Sequence, residues 1–142
     1  MSSVSTYLNF MGDTEEAISF YASVFGTEIH GEIARMGDMG PDGELTEDEK
    51  QLVAHVALPI LGGHVLMASD MVRSMGHELR VGNNVTLNLE PDTRAETDRL
   101  YAALSEGGSE STGMSDMPWA YWGCTLDRFG VRWMFTCYEQ AQ

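Results

Sequence analysis

His55 interrupts an apolar, strand-like run, Leu52-Val53-Ala54-His55-Val56-Ala57-Leu58, and imidazole is the side chain best suited to moving a proton near neutral pH. Such a histidine either satisfies one backbone or carboxylate hydrogen bond within the fold or faces a pocket as an acid, base or ligand-orienting group; the first reading is the plainer one. Arg132 poses a similar choice. In the run 131–138, alternation places Arg132, Met134 and Thr136 on one face and Trp133 and Phe135 on the other, beneath a helix. An inward arginine suits a ligand carboxylate or phosphate, or a partner such as Asp70; a solvated sheet edge is the alternative. By the same alternation Tyr7 and Asn9 share one face of the run 6–10, and Asn88 faces the same way in 85–89. The aromatics crowd towards the end of the chain, with Trp119, Tyr121, Trp122, Phe129, Trp133, Phe135 and Tyr138 available for core packing or as flat ligand walls. Of the other histidines, His64 borders a glycine turn and is expected to be solvated, and nothing assigns a role to His30 or His77.

The elements that must position these residues come from a duplication. Leu8-Asn9-Phe10-Met11-Gly12-Asp13-Thr14 recurs as Leu87-Asn88-Leu89-Glu90-Pro91-Asp92-Thr93, 79 residues on (Leu8 to Leu87), and both copies lead into a helical pattern. Asp13 with Glu16, and Thr93 with Glu96, have the spacing of capping boxes. Ala17, Ile18, Tyr21, Val24 and Phe25 form one helical face ended by Gly26; Thr97, Leu100, Tyr101 and Leu104 form the other, ended by Gly107-Gly108. Strand patterns follow at 28–36, 51–59 and 64–69 in the first half, and at 109–114, 121–126 and 131–138 in the second. The closing hairpins superpose 67 residues apart (Gly63 to Gly130), which sets Met67 on Met134 and His55 on Trp122. The segment 37–50 reads as a mobile acidic loop inserted in the first half, and 71–82 as the connector. The expected fold is α+β: one domain over 1–142, made of two tandem βαβββ modules, 4–70 and 83–139, forming a cupped mixed sheet.

Composition narrows the function classes. The net charge is −14 and Lys50 is the only lysine, a field that repels phosphate backbones and argues against nucleic acid. The same charge would steer a cationic ligand, or simply confer solubility. No apolar run is long enough to span a bilayer, and the N-terminus lacks the basic start and apolar stretch of a secretory signal, so the cytoplasm is the expected compartment and no membrane partner is expected. Cys124 and Cys137 lack metal-type spacing and read as buried thiols.

Paired βαβββ units resemble the vicinal oxygen chelate superfamily of glyoxalase I, extradiol dioxygenases and bleomycin-resistance proteins. The likeness is closer to its PhnB-like branch, through Tyr7-Leu8-Asn9-Phe10, Glu15-Glu16-Ala17, Phe20-Tyr21, Val24-Phe25-Gly26 and Leu66-Met67-Ala68-Ser69-Asp70. Trp122-Gly123, Asp127, Phe129-Gly130-Val131 and Trp133-Met134 extend it across nearly the whole chain. The resemblance implies a homodimer with pockets at or near the subunit interface. For the superfamily's enzymes it also implies a divalent metal held by His or Glu from the first and last strands of each half. Those slots hold Ser5, Thr6 or Tyr7, then Asn84, Val85 or Thr86, and Met67 and Met134. None is a good ligand for a hard or borderline metal. No glycine-rich nucleotide loop or other cofactor signature is present either, so no cofactor is expected.

The expected function is therefore metal-free binding or sequestration of a small organic ligand, cationic or aromatic, as in bleomycin-resistance proteins. Its candidate contacts are Tyr7, Asn9, His55, Met67, Asn88, Trp119, Trp122, Arg132 and Met134. Trp119 or Trp122 would stack on the ligand. The alternative is a metal-dependent lyase or isomerase of glyoxalase or dioxygenase type using ligands not recognised in the sequence. A metal-free acid/base role for His55 is a third reading, without a partner residue to recommend it.

Overall fold

A computed structural model describes residues 2–39 and 45–142, and the chain divides into two units, Met1–Arg80 and Val81–Gln142. The boundary lies inside the expected connector.

In the first unit β1 (Thr6–Phe10) leads into α1 (Thr14–Phe25), followed by β2 (Ala34–Arg35), the short helix α2 (Glu47–Lys50), β3 (Val53–Pro59) and β4 (Val65–Asp70). The strand order is β1-β4-β3-β2, with β1 parallel to β4 and the remaining pairs antiparallel. The second unit repeats the plan with β5 (Leu87–Leu89), α3 (Arg94–Ser105), β6 (Ser115–Asp116), β7 (Tyr121–Leu126) and β8 (Arg132–Cys137), in the order β5-β8-β7-β6. Each unit is thus a four-stranded mixed sheet with one long helix. The faces divide as the alternation requires. Phe10, Val56, Leu58, Leu66 and Ala68 are buried with Ala17, Ile18, Tyr21 and Val24 in the first core, and Leu89, Trp133 and Phe135 with Leu100 and Leu104 in the second.

Four local expectations change. Of the strand expected at 28–36 only Ala34–Arg35 forms, and 109–114 keeps only an isolated bridge between Ser109 and Leu126, the edge strand β6 falling just beyond it at Ser115–Asp116. Gly31 in the first, and Glu110 and Gly113 in the second, take positive φ, which breaks the ladder between isolated contacts such as His30 N–H to Ala57 O and Thr112 N–H to Cys124 O. Gly123 is what admits the second of these segments, since a Cβ there would lie 2.6 Å from both the Gly113 carbonyl oxygen and the Met114 sulfur. Within the stretch read as a loop, Thr46 and Glu49 form a reciprocal capping box that starts α2; residues 40–44 lie outside those described.

The third change is at the start of α1, where Asp13 makes no side-chain cap. The buried carboxylate of Asp70, at the end of β4, does so instead. Its Oδ1 accepts from the Gly12 and Thr14 backbone N–H groups at 2.9 and 3.1 Å and from the Thr14 hydroxyl at 2.7 Å, while Oδ2 accepts from Val53 N–H at 2.9 Å. In the second unit Thr93 caps α3 through Glu96 N–H, as the sequence predicts, and the Glu139 carboxylate accepts from Arg94 N–H. Cys137 occupies the position that corresponds to Asp70.

The fourth concerns the duplication. The β3–β4 and β7–β8 hairpins share one register, Ala57 with Met67 and Cys124 with Met134. The first strands do not. Asn9 pairs with Ser69, whereas its repeat mate Asn88 pairs with Met134 rather than Thr136, so β5 is slid two residues along β8.

Candidate functional site

Each sheet turns one face away from its helix, and the sequence-derived candidates other than Trp119 lie on those faces. In the first unit Tyr7 and Met67 are in register with Ala57 across β1, β4 and β3. The Tyr7 ring, 43% exposed, reaches past Met67 to His55: its hydroxyl lies 3.1 Å from His55 Nδ1 and the rings stack at 5.7 Å between centroids. Asn9 follows on the same face, exposed and opposite Ser69. His55 therefore has a side-chain partner, neither a backbone group nor a carboxylate. The pair was not legible in the sequence, because it depends on β4 lying between β1 and β3. His64, expected to be solvated, is half-buried with Nε2 2.9 Å from the Thr6 hydroxyl.

In the second unit one row joins Asn88, Met134 and Cys124, and the next joins Thr136 and Trp122. The Thr136 hydroxyl donates to Asn88 Oδ1 at 2.8 Å. Trp119, in the loop before β7, is 57% exposed and meets Trp122 edge to face, with centroids 6.2 Å apart and planes at 72°. The two indoles form a corner with one ring face presented to solvent. Arg132 does not pair with Asp70, whose oxygens are taken by the start of α1 and by Val53. It is half-buried on the Met134 face, with Nη1 3.5 Å from Glu110 Oε1. Burial pushes the Cys124 thiol up from its ordinary value, against the opposing pull of Arg132, so it stays protonated at neutral pH and is a weak nucleophile.

Arg94 and Tyr121 were not recognised as a cluster in the sequence. The Arg94 guanidinium sits 4.4 Å over the Tyr121 ring, bonds Asp116 at 2.5 Å and donates to the Glu139 carbonyl at 2.9 Å. The Tyr121 hydroxyl donates to Asp98 at 2.6 Å, which with burial pushes its pKa up to about 12. This network ties β6, β7, α3 and the C-terminal segment together beside the small cavity, of about 170 Å³, that Trp119 also lines.

The sequence model of the family described as 3-demethylubiquinone-9 3-methyltransferase matches residues 2–136. The chain belongs to that family. Protein PA1353 from Pseudomonas aeruginosa is 32% identical, with 99% of this chain and 100% of that one covered and a TM-score of 0.84. The PhnB protein of Bacillus cereus is 27% identical, covering 96% and 99% of the two chains at a TM-score of 0.75. A glyoxylase/bleomycin resistance protein/dioxygenase domain from Frankia sp. EAN1pec shares the fold at 12% identity, with 100% and 96% covered and a TM-score of 0.66. The chain is thus PhnB-like, with the fold of the glyoxylase/bleomycin resistance protein/dioxygenase domain.

The metal that the superfamily implies can be tested against these faces. Beside Met67 stands Tyr7, within its expected slot, but beside Met134 the slide of β5 sets Asn88 in place of the expected Asn84, Val85 or Thr86, none of which is His, Glu, Asp or Cys. Among the described residues no group of three or more His, Cys, Asp or Glu could hold a metal ion. Thioethers and a neutral amide are poor donors to a borderline divalent ion, and the neighbouring Cys124 would be a lone thiolate among them. The residues present do not fit that metal. Among the described residues no helix is long and apolar enough to cross a membrane.

Proposed function

We propose that this PhnB-like protein is a metal-independent binding protein that captures a flat, cationic or aromatic small molecule on the open face of its second sheet. The Trp119–Trp122 corner carries the reading: a large aromatic left more than half exposed, and braced edge-on by a second indole, is an unfilled stacking surface. Asn88 and Met134 continue that face with one amide and one adaptable thioether, the buried Thr136 hydroxyl holding the Asn88 side chain. The charge of −14 favours a cation in the approach to it. On the first sheet the Tyr7–His55 pair and Asn9 offer a second polar face to a ligand. The proposed working unit is a cytoplasmic homodimer, which sedimentation equilibrium would test.

Trp133 is buried, so a change in tryptophan emission reports chiefly on Trp119 and Trp122. Titration with a panel of cationic and aromatic metabolites is expected to give saturable quenching, weakened about tenfold or more in Trp119→Ala, since stacking on one exposed aromatic contributes about 1–3 kcal/mol. If no compound in the panel quenches saturably, the capture reading fails. Metal analysis of protein purified without chelator, with Co²⁺ and Ni²⁺ calorimetry, tests the other half: stoichiometric, tight metal would overturn metal independence.

A further inference from the structure

The residues that follow β4 form a tight turn whose side chains line an open cavity of about 410 Å³ with Met11 beneath: Arg73, Gly76, His77, Glu78 and Leu79. Val72 anchors this turn in the core with no exposed surface, and Met75 N–H and Gly76 N–H donate back to Val72 O and Arg73 O. Gly76 has φ +81°, a left-handed conformation that closes the turn and is strained for other residues. The Glu49 carboxylate accepts from Ser74 N–H at 3.2 Å, a second tether from α2. The turn is fixed at both ends.

Two of its side chains carry N–H donors at the cavity, those of Arg73 and His77. The chain has eight basic side chains, and seven already face a carboxylate or an aromatic ring. Arg35 meets Glu15, Lys50 meets Glu47, Arg80 meets Glu78, Arg94 meets Asp116, Arg99 meets Glu96, Arg132 meets Glu110, and Arg128 lies over Phe129. Arg73 is the eighth. It is exposed at the cavity and has no such partner among the described residues. In a protein carrying 22 acidic side chains, a guanidinium left unneutralised at a cavity is out of keeping with its surroundings. Beside it, His77 Nδ1 accepts from Val72 N–H at 2.9 Å, which fixes the ring tautomer and leaves Nε2–H as the free donor. Among the described residues the one carboxylate lining the cavity, Glu78, has Arg80 Nη2 3.6 Å from it.

We infer that this turn is an oxyanion-binding site, separate from the sheet faces, which takes a small ligand's carboxylate or phosphoryl group on the Arg73 fork with His77 Nε2–H as a second donor. Planar, bidentate recognition of either group is what a guanidinium does best, and Met11 and Leu79 add an apolar floor for a short carbon skeleton. The site does not depend on the capture reading above.

The test uses the full-length protein and two probes, inorganic phosphate and acetate, followed by NMR at the His77 ring and the Gly76 amide. At least one probe is expected to give a saturable shift at both positions. Phosphate binding more tightly would assign the site to phosphoryl groups, and acetate binding more tightly would assign it to carboxylates. Arg73→Gln, at an exposed position with no ion-pair partner to lose among the described residues, is expected to weaken binding about tenfold, or about 1.4 kcal/mol. His77→Asn keeps an acceptor for Val72 N–H and removes the outer donor, so it should weaken binding less while the turn stays folded. No saturable shift with either probe, or unchanged binding in Arg73→Gln, would overturn the site.

Discussion

Removing the Asp70 carboxylate should damage the first unit more than any other single polar deletion. Asp70 is 4% exposed and accepts four hydrogen bonds from three residues in two parts of the chain. In Asp70→Ala, Gly12 N–H can turn to water because it is exposed, and the Thr14 hydroxyl can rotate towards another acceptor. The Thr14 and Val53 N–H groups cannot, since both residues are buried. Two stranded buried donors at about 1–3 kcal/mol each give a loss of about 2–6 kcal/mol, centred near 4. Against a typical total of about 5–15 kcal/mol, that is a large share of the fold's stability. Asp70→Asn keeps an oxygen for the start of α1 and turns an amide N–H₂ towards Val53 N–H, so a single donor–donor conflict remains, costing about 1–3 kcal/mol. Urea unfolding followed by far-UV circular dichroism should show both midpoints lowered at constant slope, Ala further than Asn. Cys137→Ala, at the corresponding place in the second unit, removes only a small buried apolar group and should cost about 1 kcal/mol. An Asp70→Ala loss below about 1 kcal/mol, or an Asn variant as damaged as the Ala variant, would refute the accounting.

Two further outcomes are expected. Trp133→Phe removes the indole N–H that donates to the buried Asp127 carboxylate at 2.9 Å, and should lower stability by about 1–3 kcal/mol in the same urea assay; no change would mean that the bond contributes nothing to the β7–β8 hairpin. The Tyr121 phenol is neutral in the fold up to about pH 12 and in the unfolded chain up to about pH 10, so its contribution is present below pH 10 and is lost as pH rises towards 12. Tyr121→Phe should flatten that alkaline decline, and the difference absorbance at 295 nm between wild type and variant should titrate near 12; a step near 10 would refute the Asp98 bond as its cause.

The duplication, both long helices, the hairpins and the alternation along β1 and β8 were legible because hydrophobic period and repeat length are properties of the chain itself. Trp133 and Phe135 lie under α3, and Met134 and Thr136 on the opposite face, as alternation requires. What was not legible depends on which strands become neighbours. Tyr7 reaches His55 only because β4 lies between their strands, and Asp70 caps α1 only because β4 ends beside it. The capping signal at Asp13 and Glu16 was real in spacing and was overridden by a stronger, buried acceptor. The edge strands failed for a local reason, because glycine in a left-handed conformation leaves no trace in a hydrophobic pattern.

The slide of β5 along β8 separates ancestry from position. A shift of two is the smallest that keeps every side chain on its original face, so the unit could drift along its neighbour without turning its core outward. It nevertheless carries each residue of β5 about 6.6 Å from the place its repeat mate holds in the first unit. Asn9 and Asn88 are therefore the same residue by descent and different residues by address. A role established for one says nothing about the other, and the two sheets should be mutated and read as independent surfaces.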